Sequence, residues 1–265
     1  MSDHEDLTLD VQGLKTHVLK GGSGPALLYW HGAGCTERWY PHHAELAKSF
    51  TVYAPDHPGW GLSENAEWMD EIQDFVLFHD SLIRQLGLDR PLLVGHSLGG
   101  LFASEFAATY PDRLLALALV DAAGMPFTDQ DDVPDFFAAA NRGGIEFAPL
   151  VFHKLDVAMA TFPYPPTNDD LLRFYREMTV TARLMWDKWF DAKLPRRLPR
   201  ITCPTAVIWG AHERLFPVSL GQKFAELIPN AELRLIEDAG HMAPLESPEA
   251  FAEEILRLYH RVSSA

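Results

Sequence analysis

The chain has 265 residues and a formal net charge of −15 at pH 7, with 47% hydrophobic residues. A field of that sign repels phosphate backbones and anionic lipid surfaces, so neither nucleic acid nor a membrane is expected as a partner. Two cysteines, Cys35 and Cys203, stand far apart in no metal-ligand spacing, which excludes a disulfide framework and a zinc site; both read as plain thiols.

Leu7 to Val11 and Thr16 to Leu19 read as two strands joined through Gln12-Gly13, an antiparallel hairpin. The N-terminus, Met1 to Asp6, lacks a basic start and an apolar stretch, so a cytoplasmic location is expected. Ala26 to Trp30 is continuously apolar, as a strand covered on both faces must be. It runs into His31-Gly32-Ala33-Gly34, a loop with little side-chain cover over its amides. Phe50 to Pro55 is the next strand, followed by the rigid turn Asp56-His57-Pro58-Gly59-Trp60-Gly61-Leu62-Ser63. Ile72, Phe75, Val76, Phe78, Leu82, Ile83 and Leu86 form one helical face, which Gly87 closes.

Pro91 to Val94 is a short buried strand, and Leu101 to Ala108 has helical apolar spacing. Between them lies Gly95-His96-Ser97-Leu98-Gly99, a G-x-S-x-G match in the strand–turn–helix context that the motif needs. A serine on such a turn is held in a strained backbone conformation with its hydroxyl pointing off the sheet edge. Leu114 to Val120 is another buried strand and ends at Asp121. Alternating strands and helices imply parallel crossovers and a doubly wound α/β sheet.

From Met125 to Leu198 strand-like runs disappear while aromatics and prolines accumulate. We read residues 125–198 as an inserted helical cap, and 1–124 with 199–265 as the core domain. Among its aromatic and methionine side chains, Phe127, Phe136, Phe137, Phe147, Phe152, Phe162, Tyr164, Phe174, Tyr175, Met178, Met185, Trp186, Trp189 and Phe190, most are expected to glue helices and some to line a pocket. Arg196, Arg197 and Arg200 read as a solvated return linker. The sheet resumes at Cys203 to Gly210, and Glu213 follows in a loop closed by Pro217. A helix over Val218 to Ile228, a strand over Ala231 to Ile236, the loop Asp238-Ala239-Gly240-His241 and a helix over Pro248 to Val262 complete the chain.

A serine hydroxyl needs a base to take its proton and an acid to orient that base, and the chain offers each at a strand end. In His31 to Gly34, Asp56 to Ser63, Gly95 to Gly99 and Gly240-His241 the chain resembles the α/β-hydrolase superfamily over nearly its whole length. The resemblance implies a mostly parallel eight-stranded sheet with a cap, Ser97 as nucleophile and His241 as base. It implies Glu213 as the acid, where the family more often has aspartate, with Asp121, at a substitute position used by some members, as the alternative. It implies an oxyanion hole from the Ala33 and Leu98 amides, with Gly34 as the alternative to Ala33, and no cofactor or metal. His31 reads as a loop staple rather than a base. Trp39, Arg183 and Met242 are expected to face a small-molecule substrate in a monomer or homodimer.

The activity so implied is cleavage of a small or medium apolar ester, thioester or lactone. A serine nucleophile argues against the dehalogenase and epoxide hydrolase branches, which use a carboxylate. Two alternatives remain: a C–C bond hydrolase of a dienol-ketone acid, in which Arg183 would meet a carboxylate, and a non-catalytic binder on the same fold. Against the C–C branch, His96 stands where that branch commonly has asparagine, and Met242 where it has a bulkier aromatic.

Overall fold

The computed structural model describes residues 4–128, 131–142, 144–162, 165–186 and 190–263. The apolar runs form eight strands: β1 (His4–Val11), β2 (Leu14–Gly21), β3 (Ala26–Trp30), β4 (Thr51–Pro55), β5 (Leu92–His96), β6 (Ala116–Val120), β7 (Thr205–Gly210) and β8 (Ala231–Ile236). They join one sheet in the order β1-β2-β4-β3-β5-β6-β7-β8. The β1 hairpin and the β2–β4 pairing are antiparallel, and every pairing from β4 to β8 is parallel. This is the eight-stranded, doubly wound α/β architecture expected from the sequence.

Strands of period two with no polar face bury both sides, and alternate residues here feed two cores. Leu28, Trp30, Leu93, Leu117 and Val207 pack with Phe75, Phe102 and Phe106. Leu27, Tyr29, Val94, Ala118 and Ile208 pack with Leu46, Phe251 and Ile255. The first layer is covered by α2 (Ile72–Gln85) and α3 (Leu98–Thr109), the second by α1 (Pro41–Ala47).

Between β6 and β7 the described residues hold α4 (Phe136–Asn141), α5 (Gly144–Val151), α6 (Leu155–Thr161), α7 (Asn168–Met185) and α8 (Leu194–Arg197). Helix α7 starts on a reciprocal cap: the Thr167 hydroxyl accepts from the Asp170 amide at 3.2 Å, and the Asp170 carboxylate accepts from the Thr167 amide at 3.0 Å. Of the aromatic residues noted in this segment, Phe136 and Phe152 are buried, Phe162, Tyr175 and Trp186 are exposed, and Tyr164 and Trp189 lie outside the described residues. The return linker is not simply solvated. Arg197 donates to the buried Glu105 carboxylate of α3 at 2.7 Å and also to Asp191, and Arg200 Nε donates to the Ala108 carbonyl at 2.9 Å.

After β7 come α9 (Val218–Leu227), α10 (Ala243–Glu246) and α11 (Pro248–Ser263). The α10 turn was not expected from the sequence. No helix among the described residues is long and apolar enough to cross a membrane.

Candidate active site

Ser97 lies between β5 and α3 with φ 53° and ψ −117°, a region that disfavours residues carrying a Cβ. Such strain costs about 1–3 kcal/mol and persists only where the surroundings hold it. Here they do: the Ser97 amide donates to the Val120 carbonyl at 2.9 Å, and the Ser97 carbonyl accepts from the Gly100 and Ala123 amides at 2.9 and 3.0 Å. Gly95 permits the tight packing of α3 on β5, since a Cβ there would lie 2.5 Å from the Gly99 carbonyl oxygen and 2.6 Å from the Ala103 Cβ.

The loop after β8 brings His241 to this serine. His241 Nε2 is 3.0 Å from Ser97 Oγ, and His241 Nδ1 is 2.5 Å from Glu213 Oε2. The carboxylate can only accept, so Nδ1 carries the proton and Nε2 presents its lone pair to the serine hydroxyl. Glu213 is fixed in turn by the Leu215 amide, which donates to Oε1 at 2.6 Å. All three residues are buried. His96 anchors the same loop by donating from Nε2 to the His241 carbonyl at 2.9 Å. Burial pushes His96 down to about 3, so it serves as a neutral donor.

Of the two acids named from the sequence, Glu213 is the one on the imidazole. Asp121 ends β6 with its Oδ1 accepting from the Gly210 amide at 2.8 Å, and its Oδ2 has no hydrogen-bond partner among the described residues. Burial first, then the nearby Glu213 charge, push the Asp121 carboxyl well above its ordinary range, against the Gly210 bond. Through the Gly210 amide, Asp121 braces the β7 end from which Glu213 extends.

The loop after β3 passes directly beneath Ser97: a Cβ on Gly32 would lie 3.0 Å from Ser97 Cβ and 3.4 Å from its Oγ. The Ala33, Gly34 and Leu98 amides donate to no protein acceptor among the hydrogen bonds of the described residues. Leu98 is the first residue of α3, where free amides and the helix dipole favour negative charge. His31 staples the loop, donating from Nδ1 to the Gly32 carbonyl at 2.6 Å and accepting the His57 amide on Nε2 at 3.0 Å. Asp56 ties in the next loop, accepting from His17 Nδ1 at 2.8 Å and from the Glu37 and Leu62 amides at 2.9 Å each.

The three residues expected to face a substrate have these contacts. The Trp39 indole stacks on His4 at 5.0 Å and meets His43 at 5.1 Å, packing against the core layer under α1. Arg183 Nη2 donates to Asn65 at 3.3 Å. Met242 is buried, and its amide donates to the Val151 carbonyl at 3.1 Å. Burial pushes the Cys35 thiol up to about 12, so it is no nucleophile.

Two buried glutamates next to the site were missed by reading the sequence. Glu177 of α7 accepts from the Thr36 hydroxyl at 2.7 Å and the Gly61 amide at 3.1 Å. Glu246 of α10 accepts from the Gly240 amide at 2.9 Å. The available signal was a glutamate ending the otherwise apolar run Met242-Ala243-Pro244-Leu245.

A parallel sheet with a strained serine at the carboxyl end of a central strand defines the class of protein: an α/β hydrolase. The chain belongs to the alpha/beta hydrolase family, whose model matches residues 27–254. It is 27% identical to an uncharacterized protein of Mycobacterium tuberculosis, over 93% of this chain and 79% of that one. It is 28% identical to a 2-hydroxy-6-oxononadienedioate/2-hydroxy-6-oxononatrienedioate hydrolase of Cupriavidus pinatubonensis, over 90% of this chain and 84% of that one. Among solved structures it is similar to a bacterial membrane phospholipase A, with 25% identity and a TM-score of 0.78 over 99% of this chain and 88% of the other. The family, the Cupriavidus pinatubonensis relative and the phospholipase are hydrolases.

Proposed function

We propose that the chain is a serine hydrolase that cleaves a small or medium apolar carboxylic ester, thioester or lactone. One observation carries this reading: the continuous hydrogen-bond chain from Ser97 Oγ through His241 to Glu213, at 3.0 and 2.5 Å. In the reaction Ser97 Oγ bonds to the substrate carbonyl carbon as its proton passes to His241 Nε2. Glu213 holds the imidazole in the right tautomer and stabilises its charged form. The carbonyl oxygen, now anionic, lies against the Ala33 and Leu98 amides, with Gly34 the alternative to Ala33. His241 then gives its proton to the leaving oxygen or sulfur, and the acyl group stays on Ser97. Water, deprotonated by His241, attacks the acyl carbon, and the serine leaves with the proton.

The helices of residues 125–198 serve as the cap in this reading. The Met242 amide bonded to the Val151 carbonyl, and Glu177 of α7 bonded to Thr36 and Gly61, support their placement over the site. An apolar substrate suits the ring of Phe216, centred 5.5 Å from that of His241.

The relative from Cupriavidus pinatubonensis supports a second reading, hydrolysis of a C–C bond in a dienol-ketone acid. Against it, Arg183, the cation such an acid would need, donates to Asn65. Turnover of p-nitrophenyl esters of increasing chain length, measured beside a dienol-ketone acid, tests the choice. Ester cleavage with a chain-length optimum and negligible dienol-ketone cleavage is expected. The reverse pattern would replace the ester reading with the C–C one, and inactivity on both would point to a binder.

A further inference from the structure

Glu246 is a buried carboxylate whose two oxygens serve two different parts of the chain. Oε1 accepts from the amide of Gly240, the residue before His241, at 2.9 Å. Oε2 accepts from the amides of His153 and Lys154 at 2.7 and 2.6 Å, at the corner between α5 and α6. Lys154 closes the same corner, with Nζ 2.8 Å from the Glu246 carbonyl and 2.7 Å from Asp238 Oδ2. The Met242 amide adds a bond to the Val151 carbonyl. Backbone amides on both sides of His241 are thus held by, or through, the α5–α6 corner.

We propose that Glu246 is a positioning residue that registers His241 on Ser97 only while the α5–α6 corner is docked. This couples the seating of the helical segment to the alignment of the base, and it rests on the reading of Ser97 and His241 as nucleophile and base. The chemistry demands a carboxylate. Glutamine has the same shape but one acceptor oxygen, so its NH₂ group must face either the Gly240 amide or the His153 and Lys154 amides, donor against donor. One side of the joint is then lost. Loss on either side frees the His241 loop, and a displacement of about 1 Å in a reacting group lowers rate by about 100-fold.

The test compares the rate of fluorophosphonate labelling at Ser97, and kcat and KM for p-nitrophenyl butyrate, in the wild-type chain, E246Q, E246D and K154M. K154M removes the exposed part of the joint but leaves its backbone amide on Glu246, so it controls for lowered stability at the same corner. E246Q is expected to label about 10–100-fold more slowly, with kcat falling and KM within a few-fold. K154M is expected to lower Tm while labelling within twofold of wild type. E246D keeps both acceptors on a shorter arm and is expected to fall between; it carries the test if E246Q folds in poor yield. A Ser97 adduct on the wild-type chain with E246Q and E246D labelling at the same rate overturns the proposal alone. Equal slowing in K154M also overturns it, because that variant keeps the Lys154 amide on Glu246 and the effect would then belong to the lysine side chain and not to the carboxylate joint. No Ser97 adduct on the wild-type chain overturns the hydrolase reading and this proposal with it.

Discussion

Two carboxyl groups lie behind His241, and their environments give them different work. Glu213 stands on Nδ1 at 2.5 Å with its second oxygen held by the Leu215 amide. Asp121 is fully buried, and burial first, then the Glu213 charge, push its carboxyl well above the ordinary range. Glu213→Gln leaves His241 free to adopt the wrong tautomer, and a loss of about 10³–10⁴ in kcat is expected, with the fold intact by circular dichroism. Asp121→Asn keeps an oxygen that accepts the Gly210 amide and leaves Glu213 on His241, so activity within a few-fold of wild type is expected in the same assay. A dead Asp121→Asn with an active Glu213→Gln would reverse the two roles. The sequence favoured Glu213 but kept Asp121 as the alternative, because both residues follow strands that end at the same sheet edge. What decides it is the path of the loop after β7, together with the extra methylene of glutamate. The Trp39 contact with His4 was not legible either, since an aromatic residue beside a glycine loop carries no signal of which way it turns.

At the scale of elements, the β5 turn and α3 form a unit whose geometry depends on small residues. Gly95→Ala puts a methyl group 2.5 Å from the Gly99 oxygen and 2.6 Å from the Ala103 methyl, so α3 must move away from the sheet. A loss of about 1–3 kcal/mol in urea unfolding is expected, together with slower labelling of Ser97 as the turn is displaced. Wild-type stability would contradict the close packing described for this turn. These elements were readable because strands buried on both faces are continuously apolar and because serine and histidine stand where such runs end. The segment between β6 and β7 was readable as helical, but not its docking. Helix α7 meets the loops below through Arg173 on Glu37, Arg176 on the Gly61 carbonyl and Glu177 on Thr36. Those contacts span more than a hundred residues of sequence, and charges at helical spacing look the same whether solvent or a loop lies opposite.

Across the whole molecule, six buried histidines set the response to acid. Burial holds His42 and His57 well below their ordinary value, His43, His79 and His96 at about 3, and His31 below 6.5. The unfolded chain protonates these groups as pH falls through about 6.5 while the native state does not, so their contribution is present above that pH and lost below it. Three buried acids act with the opposite sign, because the native state keeps protons that the unfolded chain has released: Glu105, raised by burial to about 7, with Asp121 and Glu177 also raised by burial. The histidines outnumber them. Unfolding between pH 6 and 5 is therefore expected to take up protons, and stability to fall as pH falls through that range. A series of thermal melts checks this; a Tm that is flat or higher at pH 5 than at pH 6 would contradict it. The hydrogen-bond chain at Ser97 is buried as well. The most direct test of that chain is mass mapping of the adduct left by a fluorophosphonate. A single modification on Ser97, absent in Ser97→Ala and strongly slowed in His241→Ala, is the expected result, whereas a folded wild-type chain with no adduct, or an adduct on another residue, would contradict it.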